Sequence, residues 1–277
     1  MSGCAVDVEA PVGLREAVGA WLVGATGQAI EERADGVLVG FLESEAELGK
    51  LRRAAQEAFG EVVRMAGRPL EPVDWSERWR EGLGARRFGR LVVAPSWIAV
   101  APEPGTVALV LDPETAFGSG EHGSTRAALL LLEQAVRPGD RVLDLGSGSG
   151  ILAIAAALLG AAQATGIEVD EEANPVAERN ARRNGVADRV RFLEGEAGAL
   201  APLLGPADIV LSNILRTVNL TLLDAIGRAL RPGGLAIFAG METPEAELFR
   251  PDLTAAGFRV EAERVDSGWW AVGARHG

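Results

Sequence analysis

The sequence predicts an α/β fold in which a doubly wound, mostly parallel sheet follows a smaller α+β domain. From residue 141 onward, short apolar runs alternate with helical patterns, as they do when crossover helices join parallel strands. Residues 1–66 follow a different order, in which two of the strands are adjacent. Residues 67–90 interrupt both patterns with prolines, arginines and tryptophans, and are expected to form a linker. We therefore expect one domain at 1–66 and a second at 91–277.

The first domain contains no motif that suggests chemistry. Strands are expected at 4–8 and 61–65, with a hairpin around 34–36 between helices at 11–24 and 44–59. This β-α-β-β-α-β order is that of a ferredoxin-like domain. Residues 4–66 carry eleven acidic and six basic side chains, so we interpret the domain as an acidic folding or docking module.

The linker contains two tryptophans, Trp75 and Trp79, four residues apart. This spacing places both indoles on one face of a helix. We expect them to pack the two domains together, and binding of a partner is the alternative.

The second domain is expected to begin with β-rich runs and then to alternate strands with helices. The last 20 residues instead predict two antiparallel strands joined by a turn near Ser267 and Gly268. The expected β-rich runs are 91–100 and 106–112, the strands are 140–146, 164–170, 189–195, 207–213 and 234–240, and the helices are 150–161, 171–184 and 217–231.

Composition excludes several classes of function. The net charge of −12 repels nucleic acid, so direct nucleic-acid binding is not expected. One cysteine and two histidines provide neither a disulfide nor an ordinary zinc site, so we expect no metal. No apolar run is long enough to cross a membrane, and the N-terminus has no signal-peptide pattern, so a cytoplasmic location is expected. Lys50 is the only lysine and lies in a charged helical pattern, which disfavours Schiff-base chemistry.

The segment VLDLGSGSG, residues 142–150, lies where a parallel strand is expected to turn into a helix. Ligands of doubly wound sheets bind beyond the carboxyl ends of the strands. Gly146, Gly148 and Gly150 allow a ligand to approach the backbone beside the helix N-terminus. A dinucleotide fold favours Gly or Ala where Ile151 stands, so this position disfavours a nicotinamide cofactor.

Two carboxylates make this glycine turn more specific. Glu168 ends the next strand, where a carboxylate can accept hydrogen bonds from both hydroxyls of a ribose. Asp144 lies inside the first strand, and a half-buried carboxylate there requires backbone amides or a cationic ligand as its partner. A ribose is thus expected in the ligand, while backbone amides and a cationic ligand remain alternative partners of Asp144.

These motifs resemble those of class I methyltransferases that use S-adenosylmethionine. The segments that carry the resemblance are VLDLGSGSG, the acidic GIEVD and DIVLSNIL. The resemblance implies a seven-stranded Rossmann-like sheet whose glycine turn, including Gly146 and Gly148, receives the methionine and ribose. It further implies that Asp144 and Glu168 contact the cofactor, and that Glu196 assists near the adenine.

A second glycine-rich segment, AFGSGEHGSTRAAL at 116–129, narrows the resemblance to the ribosomal protein L11 methyltransferases. Position by position, Thr125, Gly146, Glu168 and Asn213 match the cofactor contacts of that family, and Phe117, Ser119 and His122 match its pocket-closing segment. We expect this segment to be a lid that closes over the cofactor. Ser119, Glu168 and Ser212 depart from the usual threonine, aspartate and alanine.

The resemblance implies methyl transfer to lysine side chains and the α-amine of ribosomal protein L11, free or on the ribosome, by a cytoplasmic monomer. We choose Asn213 as the catalytic residue, because its amide oxygen and nearby carbonyls can orient an incoming amine. His122 is a lid residue, or alternatively a proton acceptor. The remaining alternatives are methylation of another protein or of a small molecule, a non-catalytic ribosome-assembly module, and an oxidoreductase, which the absence of tyrosine disfavours.

Overall fold

Two units of structure make up the chain, Met1–Gly82 and Leu83–Gly277. A computed structural model describes residues 4–27, 30–33, 35–42, 45–69, 84–101, 103–112 and 120–277. Within these ranges, no helix is both long and apolar enough to cross a membrane. The tryptophans expected to join the domains, Trp75 and Trp79, lie outside the described residues.

The helices and strands described in the first unit are β1 (Cys4–Glu9), α1 (Arg15–Thr26), β2 (Glu31–Glu32), β3 (Leu38–Leu42), α2 (Glu45–Phe59) and β4 (Arg64–Pro69). These strands form an antiparallel sheet with the order β2-β3-β1-β4. The core consists of side chains from the central strands and from α1 and α2, among them Val6, Leu22 and Leu48.

The last strand of this unit differs from the expected one. A strand was expected at 61–65, but residues Gly60–Val62 form a short 3-10 turn after α2, and β4 occupies Arg64–Pro69. Gly60 has a φ of +69°, which ends the helix and reverses the chain. The first sheet therefore extends into the stretch expected to be the linker.

The second unit contains a seven-stranded sheet. Its strands are β8 (Arg141–Leu145), β9 (Gln163–Glu168), β10 (Val190–Glu194), β11 (Ala207–Asn213), β12 (Leu230–Glu242), β13 (Phe258–Asp266) and β14 (Trp269–His276), and their order across the sheet is β10-β9-β8-β11-β12-β14-β13. β14 runs antiparallel to both of its neighbours, β12 and β13, and the other pairings in this sheet are parallel. The sheet is therefore mostly parallel, and the doubly wound fold expected from the sequence is confirmed.

Helices cover this sheet through two separate clusters of buried apolar side chains. On one face, the helix α4 (Ile151–Leu159) is apolar all round, and eight of its nine residues are buried. On the other, Phe238 of the sheet packs against Phe249 with ring centroids 5.4 Å apart. Each fully buried side chain of this size contributes roughly 1.5–3 kcal/mol of transfer free energy. The helices are α3 (Gly123–Ala135), α4 (Ile151–Leu159), α5 (Ala173–Arg183), α6 (Ala197–Leu204), α7 (Arg216–Ala229) and α8 (Ala246–Ala255).

A small three-stranded sheet precedes the large one and consists of β5 (Arg86–Phe88), β6 (Leu91–Ala94) and β7 (Val107–Val110). Within the β-rich run expected at 91–100, the strand ends at Ala94, because Pro95 follows and its carbonyl accepts a turn hydrogen bond from the Ile98 N–H at 3.0 Å. β7 lies within the expected 106–112.

The order of the strands determines where a ligand can bind. β8 is central, and Asp144 pairs with Gly166 of β9 on one side and with Leu211 of β11 on the other. From β8 the chain continues to β9 and β10 on one side of the sheet and then returns to β11 on the other side. The carboxyl ends of β8, β9 and β11 therefore meet at a topological switch point.

Candidate functional site

The glycine turn between β8 and α4 has a backbone that only glycine adopts readily. Gly146, Gly148 and Gly150 have φ angles of +68°, +50° and +79°. A Cβ on Gly146 would lie 2.6 Å from Ile214 Cγ2, and one on Gly150 would lie 2.6 Å from Phe192 Cζ. The turn therefore packs directly against the residue after Asn213 and against β10.

Hydrogen bonds from three directions fix this turn. The Gly146 N–H donates to the Ile167 carbonyl at 2.9 Å, and the Gly148 N–H donates to Glu168 Oε2 at 2.9 Å. Asn180 of α5, which is buried, donates from Nδ2 to the Ser149 carbonyl at 3.0 Å. The sequence analysis missed Asn180, although an asparagine on the apolar side of a helix was a usable signal.

Glu168 is placed at the end of β9 and accepts three backbone N–H groups. Besides Gly148, Val169 and Asp170 donate to Oε1 at 2.8 and 3.2 Å. A carboxylate has about four acceptor positions, so roughly one remains for a ligand. Glu168 therefore organises the glycine turn as well as facing the switch point.

Asp144 is an almost fully buried carboxyl group at the end of β8, with 1% of its surface exposed. The Ala153 N–H donates to Oδ2 at 3.0 Å, whereas Oδ1 is buried without a hydrogen-bond partner in the described part of the chain. Burial, with a contribution from the charge of Glu168, raises the pKa of Asp144 to about 7 against the opposing effect of the Ala153 N–H. An orphaned acceptor of this kind is suited to a donor or cation on a ligand.

Asn213 ends β11 beside the glycine turn. Its Nδ2 donates to Oγ1 of Thr125 at 3.2 Å, and Thr125 lies fully buried in the first turn of α3. Asn213 Oδ1 is buried, and the described residues provide no donor to it. The second glycine-rich segment thus reaches the switch point through Thr125, and Asn213 keeps an unused acceptor there.

The start of α3 lies against the same turn. Gly120 approaches Ile151, so that an added Cβ would be 3.3 Å from Ile151 Cδ1. His122 Nδ1 is 2.7 Å from Ser124 Oγ, and its ring centroid is 4.2 Å from that of Trp269. Burial, with a smaller contribution from the charge of Arg126, lowers the pKa of His122, which favours the neutral imidazole near pH 7.

The β13–β14 turn holds this segment in place. A Cβ on Gly123 would lie 2.6 Å from the Asp266 carbonyl oxygen and 2.7 Å from Trp269 Cδ1. Arg126 donates to the Asp266 carboxylate and, at 2.8 Å, to Ser267 Oγ. Trp269 was not predicted as a site residue, because it comes near His122 only through the antiparallel edge of the sheet.

A family model described as Ribosomal protein L11 methyltransferase (PrmA) matches residues 21–276. The chain belongs to the ribosomal protein L11 methyltransferase family. It is therefore a methyltransferase, and its cofactor is S-adenosylmethionine.

Proteins named ribosomal protein L11 methyltransferase are similar to the chain over most of its length. The Thermus thermophilus protein is 42% identical over 200 residues, which cover 71% of this chain and 75% of that protein. The Deinococcus radiodurans protein is 36% identical over 259 residues and covers 91% and 90%. A crystal structure of a ribosomal protein L11 methylase from Lactobacillus delbrueckii subsp. bulgaricus superposes with a TM-score of 0.63 at 28% identity, covering 70% of this chain and 99% of that one.

The residues at the switch point fit the cofactor of an L11 methyltransferase. The orphaned Oδ1 of Asp144 suits the positive charge of the methionine part. The glycine turn has no side chains where the ligand backbone would approach, and the Glu168 carboxylate retains capacity for a ribose hydroxyl. Among the described residues, these groups would hold the cofactor.

Of the three remaining predicted site residues, Glu196 is described by the structure, and Phe117 and Ser119 are not. Glu196 is exposed and precedes α6, in the loop whose Gly195 N–H donates to the Glu168 carbonyl at 2.9 Å. The structure thus places the Glu196 loop beside Glu168. Phe117 and Ser119 lie outside the described residues, so their pocket-closing role remains a prediction.

Proposed function

We propose that this methyltransferase transfers methyl groups from S-adenosylmethionine to amino groups of ribosomal protein L11, namely lysine ε-amines and the N-terminal α-amine. The observation that carries the proposal is the free acceptor of Asn213. Its Oδ1 is buried and has no donor among the described residues, while its Nδ2 is tied to Thr125. An amine N–H is the donor that this oxygen lacks.

The cofactor occupies the switch point in this proposal. Its methionine and ribose lie against Gly146 and Gly148, with Asp144 near the positive charge. A ribose hydroxyl takes the remaining acceptor position of Glu168, and a second hydroxyl requires the Gly148 N–H to release Oε2. The Glu196 loop lies toward the adenine, and Phe117, Ser119 and His122 belong to the segment that closes the pocket.

Bound S-adenosylmethionine supplies a methyl carbon activated by a sulfonium, and the transfer forms a nitrogen–carbon bond as the carbon–sulfur bond breaks. Asn213 accepts an N–H of the neutral amine and thereby directs the nitrogen lone pair. Holding two reactants in the reactive geometry can lower a barrier by up to roughly 7–11 kcal/mol, and Asn213 contributes part of that positioning.

Backbone carbonyls near Asn213 were expected to help it orient the amine. Those of Ile214 and Leu215 already accept hydrogen bonds within the fold. The Ile214 carbonyl accepts from Asn219 Nδ2 at 2.9 Å, and the Leu215 carbonyl accepts from the Val218 and Asn219 N–H groups at 3.0 Å each. The side-chain oxygen of Asn213 therefore carries the orienting role. The lowered pKa of His122 favours its neutral imidazole, which is the proton acceptor in the alternative in which the lid assists deprotonation.

The charge of the chain favours a basic protein as the substrate. The whole chain has a net charge of −12, and residues 4–66 contribute eleven acidic and six basic side chains. Such a surface attracts a basic protein and repels nucleic acid. We propose that the N-terminal unit binds L11 in the cytoplasm, free or on the ribosome, and that the enzyme acts as a monomer without contacting nucleic acid or membrane.

The test is incubation of the purified enzyme with methyl-labelled S-adenosylmethionine and L11, followed by mass spectrometry of intact and digested L11. We expect methyl groups on lysine side chains and the α-amine. Asn213→Ala should bind the cofactor within about twofold of wild type but lose on the order of 100-fold in kcat, because misplaced reactants are that costly. Label on another protein or a small molecule, with none on L11, would contradict the proposed substrate. Full activity of Asn213→Ala would remove Asn213 from the mechanism.

A further inference from the structure

Asn219 is a buried amide whose hydrogen bonds surround the proposed catalytic residue. It lies on α7 with 0% of its surface exposed. Its Oδ1 accepts from Ser212 Oγ at 2.6 Å, and its Nδ2 donates to the carbonyls of Ile214 at 2.9 Å and Ala239 at 3.1 Å. Two of these three partners, Ser212 and Ile214, are the residues immediately before and after Asn213.

The Ile214 peptide is confined on two further sides. Gly240 of β12 has a φ of +85°, and a Cβ there would lie 2.3 Å from the Ile214 oxygen. On the side of the glycine turn, a Cβ on Gly146 would lie 2.6 Å from Ile214 Cγ2. The backbone that carries Asn213 is therefore fixed between the cofactor turn and β12, and Asn219 makes the polar connection.

Asn213 itself has few bonds that could fix its amide. Its Nδ2 has the 3.2 Å bond to Thr125, and its Oδ1 has no donor in the described part of the protein. The direction of Oδ1 consequently depends on the backbone at 212–214. Ser212 stands where alanine is usual in the family. Its hydroxyl donates the hydrogen bond to Asn219 Oδ1, which an alanine could not do.

We propose that Asn219, together with Ser212, is a positioning residue for methyl transfer, which sets the direction of the Asn213 amide through the two peptides that flank it. This inference rests on the proposed function. Asn219 touches neither substrate nor cofactor in this account, so its loss affects the rate of the chemical step more than the binding of either ligand.

The experiment compares the steady-state kinetics of the wild-type chain with those of a full-length double variant that carries Ser212→Ala and Asn219→Leu. The double replacement removes both polar partners and so leaves no orphaned hydroxyl or amide side chain. We expect kcat for L11 methylation to fall about 10- to 100-fold, with the KM for L11 and the Kd for S-adenosylhomocysteine within about twofold of wild type. Ser212→Ala alone should reduce kcat less, because the two hydrogen bonds donated by Asn219 Nδ2 persist. This single variant replaces the double variant in the test if the double variant does not fold.

The matched control is Asn184→Ala. Asn184 follows α5 and also ties it to a strand through a side-chain amide, donating to the Val110 carbonyl at 2.8 Å and accepting from the Val110 N–H at 2.7 Å. Within the described part of the chain, it makes no hydrogen bond to residues 212–214. We expect it to lower the Tm without changing kcat. If the folded double variant or Ser212→Ala keeps the wild-type kcat, or if kcat falls equally in Asn184→Ala, the positioning role is contradicted.

A crystal structure of Asn219→Leu separates this inference from the proposed function. We expect Asn213 Nδ2 to have moved out of hydrogen-bond range of Thr125 Oγ1, whichever substrate the enzyme methylates. An Asn213 side chain in its original position would overturn the inference, whereas a wild-type enzyme that leaves L11 unmethylated would overturn only the proposed substrate.

Discussion

At the scale of single residues, Asp144 has the most strongly perturbed acid–base behaviour at the site. Its pKa is raised to about 7, chiefly by burial. The folded protein therefore keeps a proton on Asp144 between about pH 4 and 7 that the unfolded chain has lost, so this group's contribution to stability falls as pH rises through that window, by about 1.4 kcal/mol for each pH unit.

The same group predicts a pH dependence of cofactor binding. Because ionised Asp144 attracts the positive charge of S-adenosylmethionine, the association constant should rise between pH 6 and 8 by a factor of about ten and level off above the pKa. Isothermal calorimetry across this range checks it. Asp144→Asn should bind more weakly at pH 8 and lose the slope, and an unchanged slope in that variant would assign the pH dependence to another group.

Glu168 gives the second prediction at this scale. Glu168→Gln loses the charge and one acceptor, so the free energy of cofactor binding should weaken by about 1–3 kcal/mol, as expected for charged hydrogen bonds. Calorimetry with S-adenosylhomocysteine measures the change. Glu171→Gln, an exposed neighbour on the loop after β9, is the charge-matched control. Equal affinity of the Glu168 variant and the control would contradict the ribose assignment.

Site residues that carry a charge or lie in a motif could be predicted from the sequence, whereas the buried residues that hold them in position were missed. Thr125, Asp144, Glu168 and Asn213 all lie at or beside the switch point, because glycine turns and strand-end carboxylates follow from local spacing. Asn219 was missed since its role depends on contacts with β12, including the carbonyl of residue 239, twenty residues further along the chain. Such partners become visible only when the elements are packed.

At the scale of elements, the β13–β14 hairpin was predicted closely, with its turn at Ser267 and Gly268, which have φ angles of +48° and +81°. The helices expected in the second domain did not include α3, α6 or α8. Both α6 and α8 contain a proline, Pro202 and Pro251 respectively, and an internal proline ordinarily argues against a helix. Tertiary packing of Ala201 and Phe249 in the core outweighed that local signal.

The contact between this hairpin and α3 leads to a prediction on His122. Because the Trp269 ring covers the imidazole, Trp269→Leu should expose it and raise the pKa of His122 toward its ordinary value of 6.5. NMR titration of the imidazole C–H signals measures this, since the chain has only two histidines. Val265→Ala, an exposed residue of the same hairpin, should leave the titration unchanged. A His122 pKa that stays the same or falls in Trp269→Leu would show that the indole does not desolvate the ring.

At the scale of the whole molecule, the sequence predicted two regions of different order, and the second unit alone contains every described residue of the candidate site. In the first unit, the observed elements follow one another as strand, helix, strand, strand, helix and strand. Its β4 was misplaced, because a 3-10 turn at Gly60–Val62 occupies the start of the run that was interpreted as a strand. We propose that the second unit carries out the methyl transfer and that the first unit recognises L11.

The central claim is that the cofactor lies between the glycine turn at 146–150 and the start of α3. A crystal structure of the full chain with bound S-adenosylhomocysteine tests it most directly. We predict the ribose hydroxyls within hydrogen-bond distance of Glu168, the methionine part against Gly146 and beside Asp144, and the sulfur facing Asn213. A ligand bound elsewhere, or bound here with its ribose away from Glu168 and its sulfur away from Asn213, would contradict the account.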